Sequence, residues 1–437
     1  MRLRCFICLS LLNLSLSVRA QPVDLWMQAQ AAYAQGNYRQ ALDFSAQYQA
    51  RLPPSDSLAR AEAFHLAANT YYELAEYLTA LDHFDLSLAL CPADPTGQNL
   101  KGMVLFDRAF AEYELEEYIP AYESTRKAEA ILSELAAPNW DYLLSIYADL
   151  AYTARGLGFY ADAELYIQRG EALSQQYASD LELPPGSARK AVIFACERAL
   201  LYADWNREEA ALAALRKLES LDRQQAFNAE EQRRYAVSLN AVADMYLNHR
   251  DTYAQPFATA HRLLDRAFAA LDTSLYASHY WQFTFNRAKA WRHAADLTQA
   301  LAINTKLLAT CEPTDHRLPF FWAQRGLIFL PQQADSACAA FRQMVSYLHR
   351  GASPLGADFS NFCPSNVLHH AGLLVEIADE ILARQPTHTR LAALAADFYR
   401  LGLRQFRQSF DGRSFNPKLR TYYEKAIGGI LRTGNTG

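Results

Sequence analysis

The chain has 437 residues, 51% of them hydrophobic, with 25 Tyr and 23 Phe but only 17 Gly and 17 Pro. This balance favours helices over sheets. Almost no alternating Val/Ile/Thr runs end in Asn-Gly or Asp-Gly turns, so an antiparallel sheet is excluded and an all-α fold is expected. A formal charge of −5 without basic runs argues against nucleic acid as a partner.

In chain order, Arg2 and Arg4 precede a largely apolar run from Cys5 to Val18, and Val18-Arg19-Ala20 follows. This is the pattern of a cleavable secretory signal occupying residues 1–20, cut after Ala20. The run is interrupted by Asn13 and several serines, so it falls short of the roughly 20 apolar residues that span a bilayer. Cys5 and Cys8 do not follow the run, as a lipid-attachment cysteine would. Loss of Arg2, Arg4 and Arg19 would take the charge from −5 to −8. No later stretch reaches spanning length, so the expectation is an exported chain, periplasmic or secreted, without a membrane span.

Paired helices fill the rest. The first pair runs from Leu25 to Pro53, with Gly36-Asn37-Tyr38 in its turn, and the second from Ala61 to Pro92. The third covers about Gly102 to Leu132, after a break at Pro92 to Gly97, and the fourth Leu144 to about Tyr177, with Gly156 and Gly158 in its turn. Together they give an array of four units over residues 21–187, ended by Pro184-Pro185-Gly186. From 188 to 349 the pattern persists with a stretched period, giving degenerate units. Alanines at Ala41, Ala80, Ala121, Ala163, Ala210, Ala260, Ala300 and Ala337 are the expected close crossings. Arg350 to Cys363 is helix-poor and marks a possible break before C-terminal helices over 350–437.

The second pair, AEAFHLAANTYYELAEYLTALDHFDLSLALCP, resembles a tetratricopeptide repeat. With Ala61 as the first position, Phe64, Ala67, Ala68, Tyr71, Ala80, Phe84 and Pro92 fill places 4, 7, 8, 11, 20, 24 and 32 of that family's pattern. The resemblance implies an α-solenoid of antiparallel helix pairs, in which each pair leaves an apolar flank that only the next can cover. It also implies that the first helix of each pair lines a concave face through places 5, 9 and 12. Those places hold Trp26 and Tyr33; His65, Asn69 and Tyr72; Phe106, Phe110 and Tyr113; Tyr152 and Arg155. Later units supply Phe285, Lys289, Arg292 and Trp322. Aromatic residues and Arg are enriched at interface cores, so a peptide or protein segment is the expected partner. The carboxylate clamp of chaperone-binding members is not matched: Asn69 stands where their asparagine would, but His65 replaces the lysine. A signal, long-period units and the YYEKAI segment also resemble the repeat half of secreted bacterial proteins that carry a caspase-like CHAT protease domain. The His and Cys of such a domain have no place after Gly429.

No constellation points to catalysis, a cofactor or a metal. Gly156-Leu157-Gly158 lacks the third glycine of a dinucleotide loop, and GxxxxGK[ST], HExxH and GxSxG are absent. His369-His370 has no carboxylate or Cys at ligand spacing. Glu114, Glu116 and Glu117 read as a solvated face. Cys91, Cys196, Cys311, Cys338 and Cys363 are odd in number and irregularly spaced, which suits small buried hydrophobes. A non-enzymatic scaffold is the expectation; the alternative is the regulatory half of a CHAT-type protease or signalling protein.

Overall fold

The computed structural model describes residues 22–115, 117–136, 139–178, 187–348, 367–409 and 417–434. The predicted signal at 1–20 and the helix-poor stretch at 350–363 lie outside the described residues. The chain divides into two compact units between Asn139 and Trp140. All described elements are helices.

The first unit holds α1 (Pro22–Ala34), α2 (Tyr38–Gln49), α3 (Ser57–Glu73), α4 (Tyr77–Leu90), α5 (Pro95–Glu114) and α6 (Tyr118–Ser133). They pack as the pairs α1/α2, α3/α4 and α5/α6, with α2 also contacting α3 and α4 contacting α5. The core is built as the repeat pattern requires. Ala61, Ala68, Ala80 and Phe84 are fully buried together with Val104 and Ala111, which closes one pair on the next. Two small hydroxyls seal α3 from both sides: Ser45 Oγ donates to the Ala63 carbonyl at 3.1 Å and Ser87 Oγ to the Ala61 carbonyl at 2.8 Å.

The second unit holds α7 (Trp140–Leu157), α8 (Tyr160–Ala178), α9 (Ser187–Asp204), α10 (Glu208–Gln225), α11 (Ala229–Asn248), α12 (Pro256–Ala270) and α13 (Ala277–His293). It continues with α14 (Leu297–Ala309), α15 (Leu318–Phe329), α16 (Ala334–Leu348), α17 (Val367–Arg384), α18 (Thr389–Ser409) and α19 (Pro417–Gly434). Helices α7 to α18 form six pairs, and the first helices contact one another in the row α7, α9, α11, α13, α15, α17. Helix α19 packs on α17 and α18 and also reaches α7.

Caps start the helices. Asp56, Asp94 and Asp296 accept from backbone N–H groups of α3, α5 and α14 at 3.2, 2.8 and 3.0 Å. Asn228 and Glu231 form a reciprocal capping box on α11. The turns within pairs share one device, a hydrogen bond from the second or third residue past the helix back five positions. It recurs as Asn37 to Ala32, Glu76 to Tyr71, Glu117 to Glu112, Phe159 to Ala154, Arg207 to Tyr202 and Asp296 to Trp291. The left-handed residue this motif needs is glycine at Gly36 and Gly158, Asn206 in α9/α10, and alanine at Ala75 and Ala295.

Three expectations shift. Helix α5 begins at Pro95 and not at Gly102, because Asp94 and the proline cap it. Gly156 lies inside α7, and only Gly158 takes the turn, with φ 85°. In α10 the crossing residue is Ala211, fully buried, while the predicted Ala210 is half-exposed; one helical position turns a side chain by about 100°. The other seven crossing alanines are buried.

Candidate concave site

In the second unit the row of first helices walls a cavity of 770 Å³. Its lining follows helical spacing. Helix α9 contributes Glu197, Leu200 and Asp204, α11 contributes Arg233, Val237, Asn240, Asp244 and Asn248, and α13 contributes Gln282, Asn286 and Lys289. Steps of three and four keep each set on one helix face. Tyr152 and Arg155 of α7 complete that wall, with Tyr160 of α8 beside them. Opposite stand Glu376 of α17 and Tyr422 of α19, joined by a 2.6 Å bond from the tyrosine hydroxyl to the carboxylate.

The polar lining is extensively paired. Arg155 Nη1 donates to Asp204 at 2.8 Å and its guanidinium lies over the Tyr152 ring, 5.3 Å from the centroid. Lys289 Nζ donates to Asp244 at 2.8 Å and to Asn248. Arg233 and Arg234 both hold Glu230, through Nε bonds of 2.6 and 3.0 Å. Asn286 donates its side-chain amide to Asn240 at 3.0 Å. Burial pushes the Glu197 carboxyl above the ordinary glutamate range, against the opposing pull of Arg155 and Arg234. Burial likewise lowers His249.

Of the residues predicted from the sequence, Tyr152, Arg155 and Lys289 line this cavity. Arg292, one turn beyond Lys289, is buried, and burial lowers its guanidinium to about 10. Phe285 packs near Phe321 at 6.0 Å between centroids, and Trp322 lies under Arg325 at 5.6 Å.

In the first unit His65 and Asn69 come together on Asp107 of α5, at 2.7 and 3.2 Å, so an aspartate that repeat phasing had not singled out ties α3 to α5. Trp26 stacks on Tyr48 at 5.2 Å. Tyr33, Tyr72 and Tyr113 are half-buried, each against the tyrosine five residues on, at 5.9, 5.6 and 5.0 Å. Phe106 is buried, whereas Phe110 is exposed at its side.

Sequence reasoning missed the α9 and α11 contributors, above all Glu197, Asp204, Asn240 and Asp244. Their spacing along each helix was a usable signal, but the stretched period after 188 hid the register. Glu376 and Tyr422 lie far along the chain, and no local spacing links them to α7. Among the described residues no group of three or more His, Cys, Asp or Glu is placed to hold a metal ion, and no helix is long and apolar enough to cross a membrane.

No protein-family model and no curated protein matches the sequence. Among solved structures, the chain is similar to the apo form of RapI (14% identity, 90% of this chain and 99% of that one, TM-score 0.58). It is also similar to aspartyl phosphate phosphatase F from Bacillus subtilis (12% identity, 97% and 95%, TM-score 0.50). A tetratricopeptide repeat protein from Parabacteroides merdae matches more loosely (13% identity, 75% and 94%, TM-score 0.37). At these identities the likeness is one of fold, and the fold is a helical solenoid of the tetratricopeptide type.

Proposed function

We propose that this chain, a tetratricopeptide-type solenoid, is an exported, non-enzymatic scaffold that binds a peptide or protein segment through its concave faces, with the second-unit cavity as the principal seat. The observation that carries the reading is the cavity's lining. Side-chain amides at Asn240, Gln282 and Asn286 stand among charges of both signs, while that of Asn248 is held by Asp244 and Lys289. Amides offer a donor and an acceptor each, which is what an extended backbone presents in return. The volume lies within the range of about 300 to 1,000 Å³ typical of ligand pockets. The acidic overall balance supports a polypeptide over a nucleic acid, and the N-terminal pattern at 1–20 supports export.

The half-exposed aromatic side chains Trp26, Tyr33, Tyr72, Phe110 and Tyr113, with His65 and Asn69, form the corresponding first-unit surface in this reading. The test is retention of a fluorescent short-peptide library by the purified chain, read by anisotropy. The expected result is saturable binding that Asn286→Leu weakens, at roughly 1 to 3 kcal/mol for leaving its partners unpaired. A library that shows no saturable binding would defeat the proposal.

A further inference from the structure

In the cavity wall Arg155, Arg233, Arg234 and Lys289 each hold a carboxylate at 3.0 Å or less, whereas Glu197 meets Arg155 Nε in a long ion pair in which neither atom makes a hydrogen bond. Glu197 is 7% exposed, and its Oε2 has no hydrogen-bond partner. The nearest cation is Arg155, whose Nε stands 3.7 Å away and whose Nη1 is already committed to Asp204 at 2.8 Å. The groups facing Glu197 from the packed elements are Arg155 of α7, Asp204 of α9 itself, and Arg233 and Arg234 of α11. Both α11 arginines are tied to Glu230.

Counted with Glu230, the cavity has four cations, Arg155, Arg233, Arg234 and Lys289, and five carboxylates, Glu197, Asp204, Glu230, Asp244 and Glu376. The surplus is one negative charge. Each cation has a carboxylate oxygen within 3.0 Å, so an anionic ligand could enter only by breaking an existing pair. A cationic ligand group breaks none. It would give a close hydrogen bond to a buried carboxylate whose nearest cation stands off at 3.7 Å.

We propose that the cavity selects peptides through a single positively charged group, a lysine or arginine side chain or a free N-terminal ammonium, seated against the Glu197 carboxylate oxygen that accepts no hydrogen bond. This rests on the peptide-binding reading above and narrows it to a ligand chemistry. Glu197 is then a specificity residue, and the paired charges around it are the walls that hold its orientation.

The experiment compares the full chain with its Glu197→Gln variant against a positional library of short peptides, each made with a free and with an acetylated N-terminus. The expected result is that a peptide carrying one cation binds the full chain at least about tenfold more tightly than its neutral analogue, the ratio set by one charged hydrogen bond. Glu197→Gln should reduce that ratio to about twofold while leaving neutral peptides unchanged. Loss of preference on acetylation assigns the group to the N-terminus; persistence assigns it to a side chain. Binding without charge preference, or a preference that survives Glu197→Gln, overturns the proposal and leaves peptide binding standing. No binding of any peptide overturns both. A second measurement needs no ligand: Glu197→Gln keeps the shape and removes a buried charge whose only cation contact is long, so the melting temperature at neutral pH should hold or rise. A fall would show that the carboxylate is already satisfied in the free protein, and would overturn the proposal as well.

Discussion

Ala75 closes the α3/α4 turn with φ 59°, the left-handed region in which a Cβ meets the following carbonyl. The side chain is exposed, so nothing in packing demands alanine there. Ala75→Gly is expected to raise stability by about 0.5 to 1 kcal/mol, the relief of left-handed strain less the added freedom of the unfolded chain. Equilibrium denaturation of the full chain measures it, and a loss of stability would contradict the strained-turn account.

A second residue-scale case is Glu112, 2% exposed and held by Arg108 at 2.9 Å. Burial raises its carboxyl above the ordinary range, offset by Ser124 and Arg108. Arg108→Met alone should cost about 3 to 5 kcal/mol, because the carboxylate stays buried without its partner, whereas Arg108→Met with Glu112→Leu should recover most of it. The sign of the pH effect follows from the raised folded-state value. Glu112 takes up a proton on folding, so its contribution is fully present below the ordinary glutamate pKa and is lost as pH rises through the elevated one. The Arg108→Met deficit should therefore shrink on acidification, and a deficit independent of pH would tell against a stranded charge.

At the scale of the helix pair, the phase of the second repeat was legible from seven residues. Ala67, Ala68, Ala80 and Phe84 are buried in the places the pattern assigned. Ala80 is fully buried, and a large ring there must displace Phe84 or the facing helix. Ala80→Trp should cost roughly 1 to 3 kcal/mol or more, and a variant that melts with the parent would show the crossing to be looser than described. Legibility failed where information is non-local or off by one position. Ala210 and Ala211 are both small and apolar, so spacing alone could not choose which faces the crossing. Tyr152 and Arg155, two of the places the repeat pattern picked out in α7, line the cavity. Glu197 and Asn240 were not legible, because the loops that lengthen the period between α8 and α12 erase the count from one repeat to the next. What remained visible was helix content, since the 3.6-residue apolar spacing survives any insertion between helices.

For the molecule as a whole, stacking leaves every terminal repeat with an apolar face to cover, and the cover at the C-terminal end is α19. Ala426 is fully buried there with Phe398, Tyr399 and Phe406, and Tyr422 and Ile430 pack on the same cluster. The helix approaches closely at Gly429, where a Cβ would stand 2.3 Å from the Tyr399 ring. Tyr422 also donates to Glu376 in the cavity wall, and Arg432 donates to Asp379 at 3.2 Å. Ending the chain after Ser409 should therefore strip the α17/α18 pair of its outer layer and remove one wall of the site together. Hydrogen exchange is the measurement suited to this, since it reports each helix separately. Protection is expected to fall most in α17 and α18, less in α15 and α16, and not at all in α1 to α6, because solenoid stability passes between neighbours. A milder variant, Gly429→Val, forces a side chain against Tyr399 without deleting anything, and should loosen the same two helices while α19 stays in the chain. Uniform loss of protection from α1 to α18 would mean that the chain unfolds as one cooperative body, and that the nearest-neighbour account of its stability is wrong.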